Sequence, residues 1–103
     1  MTIVRGTTPT IRYSFSTINI SDLSVAKLVI FQDEAVITKD LSEGSVGVNY
    51  VEWTLSQTDT LALIPSVRAI IKLDWLLSDG TRGVGNTMLC SVGNSAINEV
   101  LNV

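Results

Sequence analysis

The side chains able to carry chemistry are few, and their spacing limits what they can do. Histidine is absent, which removes any Ser–His or Cys–His nucleophile pair and any His-bearing zinc site. A pH sensor would need a strongly shifted carboxylate instead. The single cysteine, Cys90, excludes an internal disulfide and a thiolate cage. In Met88-Leu89-Cys90-Ser91-Val92, alternation turns it the same way as Met88 and Val92, as a small buried hydrophobe. Asp33-Glu34 and Asp40 with Glu43 read as solvated turn carboxylates, because no loop spaces its oxygens as an EF-hand does. Nothing favours a glycosidase-type carboxylate pair. Gly80-Thr81-Arg82-Gly83-Val84-Gly85 lacks the Gly-Lys-Ser/Thr ending of a phosphate loop and reads as a hairpin tip entering a bulged strand. No catalytic, cofactor-binding or metal-binding set follows, and the expectation is a chain that is not an enzyme and needs no cofactor.

Binding chemistry is equally restricted. A formal net charge of −3 without a basic cluster argues against nucleic acid. The most apolar stretch, Ala69 to Leu77, contains Lys72 and Asp74 and is far short of the ~20 residues of a membrane span. Met1 to Pro9 shows no apolar signal region, so the reading is a soluble chain made in a cytosol. Without such a signal the acceptor pattern Asn19-Ile20-Ser21 has no physical meaning. Trp53, Trp75, Tyr13 and Tyr50 would make a glycan-stacking platform if they faced outward together, but both tryptophans fall in phase with aliphatic neighbours and read as core anchors. The opening segment carries a different signal. Thr2, Ile3 and Val4 are β-prone, Gly6 permits a bend, and Pro9 withdraws a ladder donor. That places Thr2, Ile3, Val4, Arg5, Gly6, Thr7 and Thr8 at a sheet margin whose unpaired main-chain groups invite another subunit.

The elements that must position these residues are strands. Val, Ile and Thr make up about a third of the chain and favour a pleated, half-buried surface. Ile11, Tyr13 and Phe15 share one strand face. Ala26, Leu28 and Ile30 alternate with Lys27, Val29 and Phe31, which predicts a central strand apolar on both faces. Val51, Trp53 and Leu55 form one face of a strand beginning near Val46. Val67, Ala69, Ile71, Leu73, Trp75 and Leu77 lie on one face of the longest strand. Asp79-Gly80 then predicts a tight hairpin, with a single return strand from Arg82 to Val92. Ser56-Gln57-Thr58-Asp59 predicts a capped helical connector of about two turns, ended by Pro65. A weaker helix is expected after Ser95, with Ile97, Val100 and Leu101 as its stripe. Residues 18–24 and 42–45 read as loops. The 103 residues suit one domain. About seven strands and one helical turn predict an immunoglobulin-like two-sheet β-sandwich, with a small β-barrel as the competitor.

Five motifs follow one another along the chain: Arg5-Gly6-Thr7-Thr8-Pro9-Thr10-Ile11, the turn at Asp22-Leu23, Leu55-Ser56-Gln57-Thr58-Asp59-Thr60-Leu61, the hairpin at Asp79-Gly80, and Glu99-Val100-Leu101. In that order they resemble small structural proteins of tailed phages and prophages of gut Firmicutes. The opening is also similar to immunoglobulin-like domains of phage baseplate proteins. Two stretches depart from the pattern, Ile71-Lys72-Leu73-Asp74-Trp75 and Gly83-Val84-Gly85-Asn86-Thr87. The resemblance implies a virion component of tail, baseplate or head, without enzymatic activity, that contacts other phage structural proteins and forms a homo-oligomer. The alternative is a host-surface or carbohydrate-binding module using exposed aromatics.

Overall fold

A computed structural model describes the chain from Met1 to Val103. Nine strands form: β1 (Thr2–Val4), β2 (Thr10–Ser14), β3 (Leu23–Gln32), β4 (Glu34–Asp40), β5 (Ser45–Val46), β6 (Tyr50–Thr54), β7 (Ala69–Leu77), β8 (Arg82–Val84) and β9 (Met88–Gly93). One short helix, α1 (Gln57–Leu61), joins β6 to the turn before β7. The larger sheet runs β1-β9-β7-β3-β4, with β8 also paired to β7, and the smaller runs β2-β6-β5. Every pairing is antiparallel except β1 with β9, which is parallel.

This order is that of an immunoglobulin sandwich. β9, β7, β3 and β4 stand where strands G, F, C and C′ stand in a variable-type domain, facing β2, β6 and β5 as B, E and D. The fold is all-β with two separate sheets, as expected, and not a closed barrel.

Period-2 patterning accounts for the core. Ile11 and Tyr13 of β2 and Val51 and Trp53 of β6 face Ala26, Leu28 and Ile30 of β3 and Ala69, Ile71 and Leu73 of β7, all in one buried cluster. Each fully buried aliphatic side chain contributes about 1.5–3 kcal/mol relative to exposure. No helix is long and apolar enough to cross a membrane.

Five expectations are corrected. Val46 and Tyr50 lie on different strands, paired through Val46 and Val51, because the chain reverses over residues 47–49. The Tyr50 ring occupies the space a side chain at Gly47 would need. Strand β7 starts at Ala69 rather than Val67, because Ser66 is left-handed (φ 65°) and Gln32 holds the Val67 carbonyl. The return from the Asp79-Gly80 hairpin is two strands, β8 and β9, not one. At the break a Cβ on Gly85 would sit 2.8 Å from the Tyr13 ring, whose hydroxyl donates to the Asn86 carbonyl. No helix follows Ser95. There the Gln57 side chain takes both main-chain groups of Leu101, and Arg5 holds the Asn98 side chain, in a segment too short to nucleate a helix alone. Trp75, finally, is only half-buried: its ring lies over Gly83 and meets Phe15 edge-on at 6.1 Å, whereas Trp53 is 1% exposed.

Candidate functional site

The margin expected at residues 2–8 divides into an open edge and an anchored clasp. β1 is the terminal strand of the larger sheet. Ser91 donates to the Met1 carbonyl and Arg5 to the Gly93 carbonyl, both at 3.0 Å. Alternate residues of a strand face a given neighbour, so Met1, Ile3 and Arg5 face β9 while Thr2 and Val4 turn their main-chain groups outward. The Val4 carbonyl accepts from Thr7, which leaves both Thr2 groups and the Val4 N–H as the open set. Ile3, 1% exposed, fixes the strand from beneath. No proline, lysine or bulge blunts β1. The opposite edge, β4, carries Glu34, Lys39 and Asp40 and lies against a bulge in the β3–β4 register, all devices that discourage strand addition.

Arg5, Gly6 and Thr7 are engaged within the chain. The Arg5 guanidinium donates to Asn94 (3.0 Å), Asn98 (3.1 Å) and the Leu61 carbonyl at the end of α1 (2.9 Å). A cation suits the negative end of a helix. Its Nε is buried without a partner. Gly6 is left-handed (φ 82°), and its N–H donates to Thr60 Oγ1 at 2.9 Å. The Thr60 hydroxyl, fully buried, donates in turn to the Thr7 carbonyl at 2.8 Å. Leu55 N–H donates to the Pro9 carbonyl at 2.9 Å. The Arg5–Ile11 and Leu55–Leu61 motifs, some fifty residues apart, therefore form one clasp that positions β1.

The start of that second motif is built as its sequence predicts. Ser56 accepts from Asp59 N–H at 3.0 Å, and the Asp59 carboxylate accepts from Ser56 N–H at 2.9 Å, which completes a capping box. Lys39 reaches the same carboxylate at 3.1 Å and Glu43 at 3.6 Å. Burial pushes the Asp59 carboxyl up, but the Ser56 bonds and Lys39 outweigh it and hold it below the ordinary value. Lys39 is raised, chiefly by its bond to Asp59. Asp40 and Asp79 are lowered by bonds from Ser42 and Thr81. Asp33-Glu34 forms the β3–β4 turn with Asp33 left-handed (φ 67°), and Asp40 with Glu43 caps a 3-10 turn at Leu41–Glu43. The hairpin at Asp79-Gly80 is present, with Gly80 at φ 91°. No three His, Cys, Asp or Glu residues gather as metal ligands.

Sequence reasoning missed two positions. Thr60 gives no signal beyond its place inside the helical segment. Gln32, 5% exposed, donates to the Ile64 and Val67 carbonyls and accepts from Ile64 N–H, which clamps the Pro65 turn. A polar residue ending an apolar strand pattern was its only visible mark.

The aromatics do not gather. Tyr13 and Trp53 are in the core, Tyr50 lies under the Arg12 guanidinium at 3.8 Å, and Trp75 stands at the other sheet. The outer face between β3 and β7 instead forms a half-open groove of about 560 Å³. Val25, Val29, Phe31, Trp75 and Leu76 give it an apolar lining, bordered by Lys27, Lys72 and Arg82. Cys90 is buried, and that burial raises its thiol.

No protein-family model matches the chain, and no curated protein matches it. Among solved structures it is similar to the V domain of amphioxus IgVJ-C2, at 11% identity and a TM-score of 0.35, over 90% of this chain and 99% of that one.

Proposed function

We propose that this chain is a non-enzymatic structural subunit of a tailed-phage virion, in the tail or baseplate, joined to neighbouring subunits by strand addition at β1. The observation that carries the reading is the asymmetry of the two edges of the larger sheet. β4 is charged and bulged, while β1 is unblunted and held rigid by Ile3 and the Arg5–Thr60 clasp. Strand addition supplies main-chain hydrogen bonds without any catalytic group. The resemblance of its ordered motifs to small phage structural proteins supports a virion setting for this reading, with synthesis in the host cytoplasm.

Val4→Pro tests the edge. It removes an outward N–H, leaves the β9 ladder intact, and places proline where an edge strand tolerates it. The expected result is a smaller particle by light scattering, with an unchanged circular-dichroism spectrum. An unchanged particle mass, with the wild-type Val4 amide exchanging as a free one, refutes the edge. Neighbouring genes test the setting: tail genes on both sides are expected, and metabolic genes on both sides would count against a virion role.

A further inference from the structure

We infer that the groove between β3 and β7 receives the exposed stretch from Ile97 to Leu101 of a second copy of this chain. The groove is separate from the β1 edge, the segment meets the clasp through the Arg5 bonds to Asn94 and Asn98 and the Gln57 bonds to Leu101, and the proposal does not rest on strand addition. The groove is apolar at Val25, Val29 and Phe31 and cationic at its border, on a chain whose formal net charge is −3. Its one carboxylate, Asp74, is already paired with Arg82 at 2.7 Å. Lys27 and Lys72 enter no ion pair, and Lys72 Nζ stands 5.9 Å over the Phe31 ring. Two grooves facing each other would set these cations against their own copies, which is repulsive. A second copy must therefore present a different surface, apolar and free of cations.

Residues 94–103 are such a surface. They contain no Lys or Arg, carry Glu99, and expose Ile97 (51%), Val100 (43%) and Leu101 (60%). They lie outside both sheets, held only through side-chain bonds such as those from Arg5 and Gln57. Extended at ~3.3 Å per residue, Ile97 to Leu101 span roughly 17 Å, within the roughly 23 Å from Val25 to Phe31 along the groove. Exposed apolar side chains on the segment and an uncovered apolar floor in the groove are thus compatible in length and opposite in charge. The contact joins unlike surfaces, so it propagates into a chain or closes into a ring.

The test uses the Val4→Pro background, so that assembly through β1 is absent and the two contacts fail separately. Lys27→Glu with Lys72→Glu alters the groove, and Ile97→Ser with Leu101→Ser alters the segment without giving it a charge that the altered groove would attract; all four positions are exposed. Circular dichroism verifies folding, and Glu99→Lys serves as a milder segment variant. The expected result by sedimentation velocity is concentration-dependent assembly of the background chain, weakened by salt. Each altered chain alone is monomeric, and an equimolar mixture gives a heterodimer and nothing larger. A background chain that stays monomeric, an altered chain that still assembles, or a mixture that stays monomeric overturns the inference.

Discussion

Thr60→Val isolates the clasp, because valine keeps the shape and removes only the hydroxyl. That hydroxyl accepts from Gly6 N–H at 2.9 Å and donates to the Thr7 carbonyl at 2.8 Å. Leaving a buried donor or acceptor unpaired costs about 1–3 kcal/mol each. Gly6 is half-buried and Thr7 exposed, so water relieves part of this, and a loss of about 2 kcal/mol is expected. At about 4–8 °C per kcal/mol for a domain of this size, Tm falls by roughly 10 °C. Thr60→Ser keeps both bonds and loses one buried methyl, about 1 kcal/mol. Chemical unfolding followed by circular dichroism should therefore rank wild type above Thr60→Ser and Thr60→Val last. Hydrogen exchange at the Gly6 amide should accelerate more than the global loss explains. A Thr60→Val chain as stable as Thr60→Ser, with Gly6 still protected, would refute the clasp as the reason the two motifs occur together.

Gln32→Leu should destabilise the fold by about 2–4 kcal/mol, since it strips partners from Ile64 N–H and from the Ile64 and Val67 carbonyls. A denaturant midpoint within error of wild type would show that the Pro65 turn holds without the clamp. Stability should be nearly flat through neutrality, because no histidine is present. Asp59 is lowered when folded, so its contribution is present above the ordinary 3.8 and is lost as pH falls through the lowered native value. Lys39 is raised, so its contribution is present below the ordinary 10.5 and is lost as pH rises through the raised native value. Asp59→Asn should make both limbs of a pH series of urea midpoints shallower, with Asp40 and Asp79 keeping part of the acid limb, and a steep change between about pH 6 and 8 would contradict this account.

Much of this molecule was legible because it is periodic or local. Alternation at Ile11 and Tyr13, at Ala26, Leu28 and Ile30, and at Ala69, Ile71 and Leu73 marks the buried faces, since a one-residue slip would turn every side chain outward. The Ser56–Asp59 capping box and the Asp79-Gly80 turn need only adjacent residues, and both formed. Both fail where a distant side chain decides. Regular patterning alone would continue one strand through Gly85, yet the Tyr13 ring and hydroxyl interrupt it. The stripe after Ser95 is helical in spacing, yet Gln57 takes the main-chain groups of Leu101.

What the sequence determined by itself is therefore the all-β class, the inward faces, and an opening segment suited to a sheet margin. Only the tertiary structure decided which edge stays open, what anchors it, and that Lys27, Lys72 and Phe31 gather around one uncovered groove. The physical reason is separation along the chain. The bonds that fix β1 join residues 54 to 93 positions apart, and such contacts acquire their energy only after the strands between them have paired.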